Sequence, residues 1–481
     1  MISTSKNTFY LLVGYIYQKL AALIYFIFLA RYLGVTNFGK YNFALSFTAL
    51  FLVILDFSFA LVLTREIARN REKLNVYLGN ILFFKVFATI FYFCLLVLLS
   101  FILKFPQETF YLVLLAGVLA VLESFANTFY AVFRGILDMR YESLGLILNK
   151  TAVLIVGFTF MALNFPLVLM MLPLVAGGIV YFSNALGFFC RYFGSFPKLI
   201  YQSSVFKKLF NLMLPFFGTT VFNQIYLNIG PVLLNFLAAE KYVGYYSAAN
   251  RIPLAILTSI GGAFAASLYP SFSYWFVRDK SRLALLLKKG IAYLLLFSLP
   301  ICFGGCVLAK QIINFIYGSD YLPASITLII LLFSLPLQLL DYVLAAFLNA
   351  IEKQKLNFKI RMIATFSFIT LNIFLIPIFF HSGAALSFLI SLILIFVLEF
   401  IYLKKFFNFK DKLLLKKIFL IFLASLLMGI FVYFLREKLN LIFLVLVGIL
   451  IYGLLVFVFQ IFSLKELKEL KVIFFKKSSH L

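Results

Sequence analysis

Long apolar segments follow one another from residue 9 to residue 462, and only short basic or polar hinges separate them. A helix needs roughly 20 apolar residues to cross the hydrocarbon core of a bilayer. The segments therefore predict an all-α integral membrane protein with about 14 transmembrane helices. The predicted spans are residues 9–30, 41–63, 79–103, 109–132, 144–163, 167–190, 211–236, 245–269, 289–309, 322–348, 360–380, 384–403, 416–435 and 441–462.

The composition agrees with this pattern and narrows the functions to consider. Of the 481 residues, 64% are hydrophobic and 12% are charged, whereas about a quarter of the residues of a soluble domain are charged. The hinges leave no room for a sizeable soluble domain. Transport, lipid handling and membrane-embedded catalysis are the classes of function that remain.

The net charge of +25 is distributed unevenly over the hinges. With the N-terminus in the cytoplasm, the cytoplasmic hinges hold about 31 Lys and Arg residues and the outside hinges about 7, in line with the positive-inside rule. We therefore expect both termini in the cytoplasm. Because the basic residues alternate from hinge to hinge and form no patch, nucleic-acid binding is excluded.

The C-terminal tail, residues 464–481, places leucines at helical spacing between lysines. This pattern predicts a basic amphipathic helix on the inner leaflet, with membrane lipids as its partner, and a frayed solvated tail fits it equally well. The chain has 2 histidines and no glycine-rich phosphate loop. We therefore expect no metal, no other cofactor and no ATP-driven motor.

A short pattern occurs twice along the chain. Phe38-Gly39-Lys40-Tyr41 is followed by Ala44, and Val243-Gly244-Tyr245-Tyr246 is followed by Ala249. Gln18 and Gln224 keep nearly the same offset. These coincidences indicate a duplicated six-helix unit, and two like halves around a midplane cavity are common in transporters. The predicted domains are two six-helix bundles, 1–208 and 209–410, then two additional helices in 411–463 and the tail, 464–481.

Three motifs at the ends of spans resemble those of a known family. Arg31-Tyr32-Leu33-Gly34, with Phe38-Gly39 and Tyr41, is similar to a hinge of Wzx-type polysaccharide flippases, in the multidrug/oligosaccharidyl-lipid/polysaccharide exporter superfamily. The stretches 63–69 and 243–251 continue the resemblance, which covers essentially the whole chain. One departure is Val35-Thr36, where the family often has a proline.

The resemblance implies a transporter and not an enzyme. Such a flippase moves an undecaprenyl-diphosphate-linked oligosaccharide from the inner to the outer leaflet of the bacterial cytoplasmic membrane by alternating access. Alternatives within the superfamily are a lipid II flippase and a cation-coupled multidrug exporter. A membrane-embedded glycosyltransferase or polymerase is a rival of another class, and it generally needs acidic residues in a sizeable outside loop. The outside hinges hold only the scattered acids Glu108, Glu240, Asp320 and Glu437.

Charged side chains inside the spans are candidates for function, because each costs roughly 2.5–3.5 kcal/mol at the centre of a membrane helix. If a proton or sodium ion drives transport, Asp56, Glu123 and Asp341 are the plausible coupling carboxylates, and no spacing selects among them. Glu399 lies near the inner end of its span and is compatible with a purely structural role. The candidates are Lys19, Asp56, Lys85, Glu123, Lys150, Arg251, Asp341 and Glu399.

Arg251 is the best-placed candidate for the substrate. It follows Ala248-Ala249-Asn250, where small neighbours leave space beside a guanidinium that binds phosphate oxygens bidentately. Lys19 in the first span and Arg31 in the hinge motif are further candidates for the substrate cavity. The competing interpretation makes Arg251 and Lys19 ion-pair partners of a carboxylate such as Asp341 or Glu123.

The seventh span carries a polar stripe. Thr220, Asn223, Gln224 and Asn228 lie along one face of the predicted helix. A polar stripe on a membrane helix faces protein or water and not lipid. We expect these side chains, together with Gln18, to line a cavity for the sugars, and helix–helix hydrogen bonding is the competing interpretation.

Overall fold

The computed structural model describes residues 4–404 and 411–461. Over these residues the chain forms helices and no β-strand, so the prediction of an all-α membrane protein is confirmed. The predicted tail helix, 464–481, lies outside the described residues. By its internal packing the chain divides into two compact units, unit 1 (Met1–Gly244) and unit 2 (Tyr245–Leu481).

Unit 1 is a bundle of helices around an aromatic core. α6 packs on α1 and α7, α5 packs on α3 and α7, and α8 packs on α1 and α4. The core includes Phe129, Tyr130, Phe133 and Phe189, which are all buried. The helices are α1 (Thr4–Leu50), α2 (Leu52–Asp56), α3 (Phe59–Arg69), α4 (Leu74–Ile102), α5 (Gln107–Gly135), α6 (Arg140–Ala162), α7 (Leu172–Phe193) and α8 (Ser203–Leu237).

Two backbone breaks occur near the start of the chain, one between the first two predicted spans and one inside the second. The first is at Gly34 inside α1, whose φ of 69° and ψ of 174° belong to a region that glycine enters without steric cost. The second separates α2 from α3, where Phe57 and Ser58 have φ values of 31° and 62°. We predicted a hinge at the first site. The second break corrects the prediction of one continuous helix over 41–63, and no glycine or proline marks it in the sequence.

The two repeated glycine motifs meet within unit 1. A Cβ atom at Gly39 would overlap the carbonyl oxygen of Glu240, and one at Gly244 would overlap the carbonyl oxygen of Val35. Both positions therefore require glycine, because backbone approaches backbone there. We name this contact the glycine crossing.

Unit 2 repeats the all-helical packing. α12 packs on α10 and α13, and α14 packs on α10 and α15. Leu308, Met428, Val432 and Leu444 form a buried cluster between the last helices. The helices are α9 (Glu240–Arg278, which begins in unit 1), α10 (Lys280–Val307), α11 (Ala309–Tyr317), α12 (Ala324–Ala350), α13 (Gln354–Leu403), α14 (Lys412–Leu435) and α15 (Leu441–Val458).

The number of membrane crossings stays a prediction. Among the described residues, 10 helices are long and apolar enough to cross a membrane, or up to 11 if the bent pair Glu240–Gly262 and Ser267–Arg278 forms one span. The helix α1 covers the first predicted span and the start of the second, and α13 covers two predicted spans; each contains a break, at Gly34 and at Phe380. The predicted boundary between the two six-helix bundles, at residues 208 and 209, also stays a prediction.

Candidate functional site

A polar cavity of about 350 Å³ lies inside unit 1. Three carboxylates, one guanidinium and three side-chain amides face it, although the helices around it are largely apolar. A cavity with this lining can hold water or a polar solute, because its side chains offer hydrogen bonds that an apolar cavity lacks. Its lining consists of Tyr15, Gln18, Asp56, Ser58, Ala60, Glu123, Asn127, Arg134, Glu142, Leu146, Asn149 and Tyr181.

Asp56, one of the predicted coupling residues, is already paired. The ammonium of Lys85 lies 3.3 Å from Asp56 Oδ1 and donates to the carbonyl oxygen of Ser124 at 2.7 Å. The Ser124 hydroxyl donates to the same Asp56 oxygen at 2.5 Å. Lys85 is 1% exposed, so Asp56 and Ser124 stabilise its ammonium group in place of water. The helix break at Phe57 follows immediately and turns Asp56 towards the cavity lining.

Glu142 and Arg134 form a second charge pair in the cavity. Arg134 Nε lies 3.1 Å from Glu142 Oε2, and the Tyr15 hydroxyl donates to Glu142 Oε1 at 3.4 Å. The sequence analysis missed both residues because it placed them in a cytoplasmic hinge. Their neighbours along the chain carry no pattern that distinguishes them from ordinary hinge charges.

Glu123 is the third carboxylate of the cavity and differs from the other two. Within residues 4–404 and 411–461 its carboxylate has no hydrogen bond and no ion pair, and it faces the cavity half-buried. The charges of Asp56 and Glu142 are each matched by a cation. The lining therefore carries one surplus negative charge, at Glu123, which a cation can neutralise.

The remaining candidates of unit 1 lie apart from one another. Gln18 lines the cavity, whereas the next residue, Lys19, is exposed and has Lys150 as an electrostatic neighbour. Arg31 is exposed and lies one turn before the break at Gly34. Among the candidate residues that we predicted from the sequence, Gln18, Asp56 and Glu123 line the same cavity.

The polar stripe of α8 has mixed surroundings. The hydroxyls of Thr220 and Ser58 lie 3.1 Å apart, so the stripe reaches the α2–α3 break. The Asn228 amide donates to the Gln224 carbonyl oxygen at 3.0 Å and lies 3.3 Å from the Gln224 side-chain oxygen. Asn223 is exposed. The hydrogen bonds account for part of the stripe, and a cavity-lining role stays a prediction.

In unit 2, Asp341 is bound by a residue that the sequence analysis did not select. Arg361 holds both Asp341 oxygens, at 2.9 Å and 2.5 Å, and lies 3.9 Å from Glu399 Oε1. We call Asp341, Arg361 and Glu399 the charge cluster. Arg361 was missed because it lies at the start of the predicted span 360–380, where basic residues are ordinary. Arg251, on α9, is half-buried and has the buried Tyr317 as an electrostatic neighbour.

Comparison with known proteins adds three relationships. Residues 4–276 match a family described as "Polysaccharide biosynthesis protein". The capsular polysaccharide biosynthesis protein CapF of Staphylococcus aureus is 22% identical over 84% of this chain and 100% of its own length. A candidate O-antigen transporter of Escherichia coli strain K12 is 24% identical over 69% of this chain and 79% of its own.

Among solved structures, the chain is similar to a lipid II flippase, MurJ, in an inward closed conformation. The TM-score is 0.77, and the alignment covers 95% of this chain and 99% of that chain at 20% sequence identity. At that identity the likeness shows the fold alone.

Proposed function

The chain belongs to the polysaccharide biosynthesis protein family, and on that premise we propose that it flips a lipid-linked oligosaccharide across the cytoplasmic membrane. It is a multi-pass membrane protein and a transporter, not an enzyme. The proposed substrate is an oligosaccharide on undecaprenyl diphosphate, which moves from the inner to the outer leaflet by alternating access during cell-surface polysaccharide synthesis.

The observation that carries this proposal is the polar cavity inside an apolar helical bundle. A polar solute needs hydrogen-bonding groups at membrane depth, because the hydrocarbon core supplies none. The side-chain amides of Gln18, Asn127 and Asn149 are suited to exchange hydrogen bonds with water or sugar hydroxyls. The names of the relatives connect such a bundle with polysaccharide and O-antigen handling.

We assign the substrate contacts by chemistry. Guanidinium and ammonium groups bind phosphate oxygens, so Arg251, Lys19 and Arg31 are each proposed, separately, as residues that bind the diphosphate during transport. The amides of the α8 stripe are proposed to meet the sugars, since Asn223 is exposed and carries both a donor and an acceptor. The lipid tail stays in the bilayer.

Glu123 is the coupling residue in this proposal. Asp56 and Asp341 each have a basic partner, at Lys85 and Arg361, so neither has a free charge to offer to a cation. Glu123 has none within the described residues and faces the cavity. Binding and release of a proton or sodium ion at Glu123 would then accompany the change between the two access states.

The orientation is proposed with both termini in the cytoplasm. In a background without native cysteines, Arg71→Cys and Lys280→Cys should resist an impermeant thiol reagent applied outside, whereas Lys438→Cys should react. Ready outside labelling of Lys280→Cys would reverse the orientation.

Depletion of the protein in its native host tests the function. We expect loss of surface polysaccharide and accumulation of lipid-linked oligosaccharide that an impermeant glycan oxidant cannot reach. Glu123→Gln should reproduce this at a normal amount of protein, and Glu437→Gln, a change at an exposed carboxylate, should not. Unchanged surface polysaccharide on depletion would contradict the proposal.

A lipid II flippase is the second candidate, and the likeness of the fold to MurJ favours it. The same depletion separates the two. A lipid II flippase would stop peptidoglycan synthesis and lyse the cells, whereas an oligosaccharide flippase would leave peptidoglycan synthesis running.

A further inference from the structure

The charge cluster of unit 2 joins three helical segments. Asp341 lies on α12, Arg361 on the segment of α13 before the break at Phe380, and Glu399 on the segment after it. Arg361 clamps Asp341 with two hydrogen bonds, and its Nη2 atom is 3.9 Å from Glu399 Oε1. The Arg361 Nε group points away, towards the Asn357 side-chain oxygen at 3.4 Å.

Glu399 is buried without a donor of its own. Its side chain is 0% exposed, and neither carboxyl oxygen receives a hydrogen bond from the described residues. Asp341 and Glu399 both face the guanidinium of Arg361, and the two carboxyl groups are electrostatic neighbours. Two ionised carboxylates repel each other and neither can donate a hydrogen bond, so such a pair is stable in a buried site only when one of them carries a proton.

The charges of the cluster do not balance without that proton. One guanidinium faces two carboxyl groups, and its bidentate hydrogen bonds neutralise Asp341. The charged groups that act on Glu399 among the described residues are Asp341 and Arg361. Tyr342 of α12 is a further titratable neighbour of the Asp341–Arg361 pair, and it contributes no positive charge. An ionised Glu399 would therefore be a buried charge without compensation, which is strongly unfavourable.

We propose that the charge cluster is a proton-binding site, in which Glu399 holds one proton and shares it with Asp341 while Arg361 fixes Asp341 in place. A proton fits better than a metal ion because the guanidinium already occupies the cationic position. No group of three or more potential metal ligands occurs in the part of the chain that the structure describes. Loss of the proton would place two negative charges where both segments of α13 meet α12. The proposal does not depend on the transported substrate.

Infrared spectroscopy of the purified full-length protein tests this site directly. At neutral pH the wild type should show the carbonyl stretch of a protonated carboxylic acid, and Glu399→Gln should lack the absorbance of one such group. Glu437→Gln is the matched control, because this carboxylate is exposed, and it should leave the band unchanged. A wild-type spectrum without a Glu399 contribution overturns the proposal.

Asp341→Asn tests the sharing of the proton without altering Glu399. With Asp341 neutral, Glu399 is the carboxylate that remains beside Arg361 among the described residues, so we expect it to ionise and the band to disappear. Persistence of the full band would mean that burial alone keeps Glu399 neutral, and the shared site would be refuted.

The spectra are compared in sodium and in choline buffers. Equal bands support the proton as the ligand, whereas loss of the band in sodium would show that a metal ion replaces it and would overturn the assignment. If Asp341→Asn does not give a monodisperse protein, the Glu399→Gln difference still decides whether the proton is present.

Discussion

Replacing Asp56 by asparagine should destabilise unit 1 more than replacing its partner Lys85 by methionine. The two side chains form one ion pair, but Lys85 is 1% exposed and Asp56 is 33% exposed to the cavity. Asp56→Asn leaves an ammonium group with no compensating charge and no access to water. Lys85→Met leaves a carboxylate that keeps the Ser124 hydroxyl as a donor and gains hydration from the cavity.

The expected magnitudes follow from this difference in burial. Breaking a buried ion pair costs about 3–5 kcal/mol when the remaining charge is enclosed, so this range applies to Asp56→Asn. For Lys85→Met we expect about 1–3 kcal/mol, the cost of a partly hydrated group that loses one partner. The double variant removes both charges and should be more stable than Asp56→Asn, with a coupling energy of about 2 kcal/mol.

Unfolding of the four proteins by SDS in mixed micelles gives the free energies of this double-mutant cycle. The surface pair Lys40–Glu108 is the matched control, with N and O atoms 2.6 Å apart and side chains 22% and 41% exposed. Its coupling energy should stay below about 1 kcal/mol. Equal losses for Asp56→Asn and Lys85→Met, or additive effects in the double variant, would refute the reasoning from burial.

Three further predictions concern separate sites. Arg251→Ala should abolish surface polysaccharide at a normal amount of protein. Arg251→Lys should retain part of the surface polysaccharide, because the positive charge remains although the bidentate geometry is lost. A fall in the amount of Arg251→Ala protein would instead indicate a structural role for the arginine. Asn223→Cys should react with a small polar thiol reagent faster than Phe222→Cys, and equal protection would mean that the stripe serves packing. Asp411 begins α14 and accepts a hydrogen bond from Lys288 at 2.8 Å, which lowers the pKa of its carboxyl group, with help from backbone N–H groups. Its stabilising effect is therefore present above the unfolded pKa of about 4 and is lost as the pH falls through the lower folded pKa. The thermal midpoints of wild type and Asp411→Asn should differ at neutral pH and converge in acid, and a gap that persists in acid would contradict this linkage.

The hydropathy pattern predicted the helical class and nearly all of the helices, because the bilayer imposes length and apolarity on every span. The hinge at Gly34 was also predictable, since a motif with glycine marks it. The α2–α3 break was not, because Phe57 and Ser58 adopt positive φ values that only tertiary packing maintains. The family resemblance in the motifs is confirmed by the match over residues 4–276.

Candidate residues were predictable one at a time, but their partners were not. Asp56, Glu123 and Asp341 stand out as charges in apolar runs, and the sequence could not distinguish them. Lys85 pairs with Asp56 across 29 positions and Arg361 with Asp341 across 20, so each pairing depends on which helices pack together. Arg361 was overlooked because a charge at the end of a span is unremarkable until its neighbours are known.

At the glycine crossing, the nearest atoms on the opposing side of each glycine are backbone atoms. The packing at this contact therefore depends on the shape of the backbone and not on the choice of side-chain rotamers. A methyl group on either glycine would push the two backbone segments apart. The opposing atom is a backbone carbonyl oxygen, which no side-chain movement can displace. Gly39 and Gly244 are therefore constrained as a pair, although most of a domain's length of sequence separates them.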